Sequence, residues 1–98
     1  MSVSEYERLF AAMEETAANW RATRSLLTSH WIACAAHLEL VLTYTSDDVE
    51  HAAKLASARL ALEGLEKAKE VESEACEIAR DAMRAWTRVR DAQTGEPQ

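Results

Sequence analysis

The sequence predicts an all-α protein: a long antiparallel helical hairpin, with helices at about 4–44 and 47–91, that dimerises into a four-helix bundle. Three observations predict it. The 98 residues include only two glycines and one proline, and Pro97 lies near the end of the chain, while the strong helix formers Ala, Leu, Glu, Arg and Lys are abundant. Apolar residues recur in alternating steps of three and four along both halves. A single cluster, Thr45-Ser46-Asp47-Asp48, punctuates the chain between them. A chain of this length reads as one all-helical domain, 1–98, with a short disordered tail at about 92–98.

The first helix starts near Ser4. Ser2 and Ser4 each precede a glutamate by three residues, Glu5 and Glu7, which is the capping-box spacing. From there Tyr6, Phe10, Met13, Ala17, Trp20, Arg24, Leu27, Trp31, Cys34, Leu38 and Val41 form a heptad-like seam, with Arg24 its only charged member. Thr28-Ser29-His30 is the one place where this helix could break, and a break there gives the alternative architecture, a three-helix bundle. No Gly or Pro stands at the site and the seam keeps its phase across it, so one helix is favoured.

Ser25 to Tyr44 is the most apolar stretch. Leu26, Ile32, Leu40 and Leu42 lie outside the seam, and a helix apolar on so many sides is buried on more than one of them. One partner helix cannot cover it. A second copy can, so Leu26, Trp31, Ile32, Leu40 and Leu42 are the candidate self-association surface of a homodimer. The stretch is long enough to span a bilayer, but His30, His37 and Glu39 interrupt it, and ionisable groups at that depth are costly. The expectation is no membrane.

The second helix begins after the punctuation, where Ser46 or Asp47 can cap it and Asp47, Asp48 and Glu50 suit the positive end of its dipole. Its seam is Leu55, Ala58, Leu62, Leu65, Ala68, Val71, Ala75, Ile78, Ala82, Ala85 and Val89, with Trp86 beside it. Gly64 marks a bend or a close crossing. Arg80, Arg84, Arg88 and Arg90 crowd the last turns, where cations favour the negative helix end. With the turn at 45–46, residues whose numbers total about 91 face each other. Arg21 and Arg24 then meet Glu66 and Glu70, Glu14 and Glu15 fall near Arg80, and Glu7 falls near Arg84.

The formal net charge of -6 argues against direct nucleic-acid binding, which rests on neutralising phosphates. It suits a partner protein with a basic surface. Glu63, Glu66, Glu70, Glu74 and Glu77 form the candidate acidic docking face. No basic segment followed by an apolar run opens the sequence, so no signal peptide is expected and the predicted location is cytoplasmic. Two widely separated cysteines in such a chain read as reduced thiols, packed as small hydrophobes, with no disulfide between them.

Chemistry has few candidates. His30, Cys34 and His37 stand at i, i+4 and i+7, a spacing at which imidazole and thiolate can reach one transition metal. Without HExxH, CxxC or Glu-x-x-His, and with Cys34 in the seam, packing is the simpler reading and no cofactor is expected. Glu14 and Glu15 read as a solvated face, and Trp20, Trp31 and Trp86 as packing anchors. Two isolated glycines cannot build a phosphate loop, and no nucleophile-base dyad is placed. The size and hairpin layout are similar to the type VII secretion substrate family. That family carries Trp-x-Gly at its turn where this chain has Tyr44-Thr-Ser-Asp-Asp, so membership is not assigned. The sequence therefore predicts a non-enzymatic, acidic, self-associating protein that binds another protein, as an adaptor, a chaperone or an inhibitor of the antitoxin or phage anti-defence kind. The alternative is a metal-binding bundle built on His30, Cys34 and His37.

Overall fold

The computed structural model describes residues 4–43 and 48–94, and these form two α-helices, α1 (Glu5–Thr43) and α2 (Asp48–Thr94). With no strand among the described residues, the fold is an all-α helical hairpin. The start of α1 follows from its first residues. The Ser4 hydroxyl accepts the Glu7 backbone N–H at 3.1 Å, and the Ser4 carbonyl accepts the Arg8 N–H at 3.0 Å. The second is the first intrahelical bond, and the first satisfies a donor that a helix start otherwise leaves without a partner. The alternative cap at Ser2, the turn around Thr45 and the caps at Ser46 and Asp47 lie outside the described residues. At its far end α2 reaches Thr94, beyond the expected end at about 91.

The three-helix alternative is corrected. α1 is continuous through Thr28, Ser29 and His30. The hydroxyls that could have capped a new helix bond backwards instead: Thr28 Oγ1 donates to the Arg24 carbonyl at 3.1 Å and Ser29 Oγ to the Ser25 carbonyl at 3.2 Å. With no Gly or Pro to free the backbone, the i−4 carbonyl is the nearest acceptor, and the helix absorbs both residues.

Packing divides the chain into two units, residues 1–22 with 73–98 and residues 23–72. In the first, Tyr6 and Phe10 of α1 meet Trp86 of α2, with ring centroids 6.1 and 5.8 Å from the indole and 6.4 Å from each other. The Arg90 guanidinium lies 5.0 Å from the Trp86 ring centre, within cation–π range. Ala75 and Ala79 are buried there. In the second unit the buried residues are Thr23, Cys34, Ala58 and Leu65. Phe10 with Trp86 and His30 with Gly64 have numbers totalling 96 and 94. Each unit therefore pairs its helices antiparallel, a few residues from the expected total of 91.

The expected seams hold only in part. Thr23 is buried where Arg24 was expected, Ala79 joins the core, and Trp31, Leu38, Leu62, Val71 and Ile78 are exposed. A straight helix drifts about 20° per heptad against a 3.5-residue repeat. Over helices of 39 and 47 residues, a strict heptad pattern therefore slides off the contact line. Apart from Leu65, the apolar residues that stay on it are small, and many large ones rotate to its flanks.

Candidate interaction surfaces

The core that results is small. Among the described residues the buried apolar set is Cys34, Ala58, Leu65, Ala75 and Ala79, whereas thirteen large hydrophobic residues are exposed. Within residues 23–72 several of them fall on two flanks of the helix pair. On one flank, Leu26 borders a hollow of about 300 Å³ with Thr23, His30, Gly64 and Val71. Leu40 borders a second hollow, of about 230 Å³, with His37, Ala53 and Ser57. On the other flank, Leu38 and Leu62 share a hollow with Cys34 and Leu55, and helical spacing puts Trp31 and Leu42 in line with Leu38. The five residues expected to drive self-association are all exposed, from 53% at Leu40 to 82% at Leu42. They serve different faces: Leu26 and Leu40 one flank, Trp31 and Leu42 the other, and Ile32 the outward side.

Gly64 resolves as a close approach. A Cβ at that position would lie 3.2 Å from His30 Nδ1 and 3.3 Å from Cε1, so only glycine lets the imidazole lie this close against α2. His37 lies in the other hollow, beside the Lys54–Glu50 pair at 3.1 Å. Cys34 turns inward and is 5% exposed. The three candidate ligands thus border three different hollows, and among the described residues no group of three His, Cys, Asp or Glu side chains is placed to hold a metal ion. Both cysteines are free thiols.

Glu63, Glu66 and Glu70 in the second unit, and Glu74 and Glu77 in the first, are all exposed. Within the second unit, spacing turns Glu63 and Glu70 away from the buried Ala58 and Leu65 and sets Glu66 to one side of them. No family model, curated protein or solved structure matches the chain. α1 does contain a segment within Glu5–Leu42 long and apolar enough, with mean hydropathy 1.2, to cross a membrane by length and composition, and 6% of it is buried.

Sequence reasoning missed three features. Leu60 and Val49 are exposed at 69% and 80%, yet neither belongs to the expected seam or surface. The His30–Gly64 contact was signalled only by the isolated glycine. The Tyr6–Phe10–Trp86 cluster needed the hairpin register, which places residues 6–10 beside 86.

Proposed function

We propose that the protein acts without catalysis, as an acidic binding protein that associates with itself and docks a basic partner protein. One observation carries the reading: most of the large apolar residues of unit 23–72, Leu26, Trp31, Ile32, Leu38, Leu40 and Leu42 among them, are exposed while its buried core is Thr23, Cys34, Ala58 and Leu65. Burying a Leu, Ile or Val side chain is worth about 1.5–3 kcal/mol relative to exposure, and exposed apolar patches of this extent mark interaction sites in soluble proteins. Self-association into a four-helix bundle covers such a surface with its own kind. The acidic outer side of α2, away from the helix contact, then stays free for a basic partner.

The test is replacement of Ile32 and Leu40 with Glu. Two charges on the apolar surface should dissociate the assembly and leave a poorly folded monomer. An unchanged oligomer would move the association surface elsewhere. A pull-down with the wild-type chain, and with Glu66 and Glu70 reversed to Lys, should recover a basic protein only in the first case.

A further inference from the structure

We propose that the flank carrying Leu26 and Leu40 is a two-fold interface with a second copy of this chain, in which α1 packs antiparallel on the partner's α1 with Ala33 at the axis. This rests on the self-association reading and names its surface and geometry. Leu26 and Leu40 stand seven residues to either side of Ala33, and Ser29 and Ala36 complete a 3-4-3-4 row between them. The row reads large, small, small, small, large in both directions. Rotation about Ala33 sets Leu26 against the partner's Leu40 and Ser29 against the partner's Ala36. Small residues at the crossing let the two backbones approach.

α2 supplies the second half of the surface. Gly64, Ala68 and Val71 line the hollow that holds Leu26, with Lys67 beside them, and Ala53 and Ser57 line the one that holds Leu40, with the Glu50–Lys54 ion pair beside them. With Leu60, the residues Ala53, Ser57, Gly64, Ala68 and Val71 make a matching row whose own centre falls between Leu60 and Ala61: Ser57 and Gly64 are equidistant from that point, as are Ala53 and Ala68. The contact of His30 with Gly64 puts Ala33 level with residues 60–61. Two rows on different helices therefore share one two-fold level. A self-complementary interface requires that coincidence, and a foreign partner gives no reason for it.

The exposed area fits as well. The chain exposes 7471 Å², where a compact monomer of its 10.9 kDa exposes about 5,600 Å². The surplus exceeds the roughly 800 Å² that each partner of a standard interface buries. A bilayer is the weaker occupant. The stretch of α2 lying along this part of α1 carries Lys54, Arg59, Glu63, Glu66, Lys67 and Glu70, which lipid would have to accommodate together with Glu39.

Cross-linking tests the geometry. Single cysteines are placed at Ala33, Leu26 or Leu40 in full-length protein carrying Cys34→Ala and Cys76→Ala. If that background does not fold, Cys34 is retained, because its thiol is buried. Under mild oxidation Ala33→Cys should link most chains in pairs. Leu26→Cys and Leu40→Cys should each fail alone, since copies of one position lie about 21 Å apart along the helices at 1.5 Å per residue, beyond the roughly 7 Å limit for bridged Cα atoms. An equimolar mixture of the two should link. A dimer by light scattering without the Ala33→Cys link overturns this interface and leaves self-association standing. A monomer overturns both. Uptake into phosphatidylcholine vesicles with no link overturns the interface in favour of lipid.

Discussion

Gly64 and Trp86 show what individual residues contribute. Replacing Gly64 with Ala removes the helix cost of glycine, about 1 kcal/mol, but pushes a Cβ to 3.2 Å from His30 Nδ1. The imidazole borders an open hollow and can yield. Gly64→Ala should therefore stabilise by a few tenths of a kcal/mol in the wild type and by nearer 1 kcal/mol when His30 is Ala. Equal gains in both backgrounds, by urea titration, would show that His30 does not crowd the site. Trp86 presents the opposite case. Its Nε1 is buried without a hydrogen-bond partner, so its contribution comes from contact with Tyr6, Phe10 and Arg90. Trp86→Phe keeps a ring there and sheds an unsatisfied donor, and should cost under about 1 kcal/mol. Trp86→Ala should cost about 2–3 kcal/mol, below the fully buried range because the residue is half-buried. Equal losses for Phe and Ala would mean that the indole N–H does have a partner.

The continuity of α1 is the main result at the level of elements. Thr28 and Ser29 are exposed and return their hydroxyls to Arg24 and Ser25, so neither serves as a cap. Changing both to Ala should raise stability by about 1 kcal/mol from helix propensity alone, with helical circular dichroism unchanged. A loss of stability would mean that a break at 28–30 is required. The helices themselves were legible in the sequence because breakers are absent and Ser4 caps with a hydroxyl at the expected spacing. Which residues each helix buries was less legible. Apolar residues occupy so much of residues 26–42 that periodicity cannot select the contact face, and drift over long helices moved Trp31, Leu38 and Ile78 off the expected line. The candidate site was read in the same mixed way. The exposed leucines were identified, but their division between two flanks depends on which side Cys34 and Gly64 face, and composition does not carry that.

For the whole molecule, an excess of exposed apolar surface over buried core is the dominant fact. Charge is organised largely apart from it: Glu63 and Glu70 turn away from the buried Ala58 and Leu65, and Glu66 stands one turn from Leu62 at the edge of one flank. Binding of a basic partner to these glutamates should slow as salt rises, because screening shortens electrostatic steering. Reversing Glu66 and Glu70 to Lys should weaken it with helicity intact, and unchanged affinity would place the partner elsewhere. Self-association should respond little to salt, since apolar burial drives it, and should make the melting temperature of the wild type rise with concentration. Light scattering of wild-type protein at ~100 μM, well above the ~1 μM dissociation constant that corresponds to about 8 kcal/mol of association, tests the central claim most directly. The account predicts twice the 10.9 kDa chain mass. A well-folded particle of the single chain mass would contradict it.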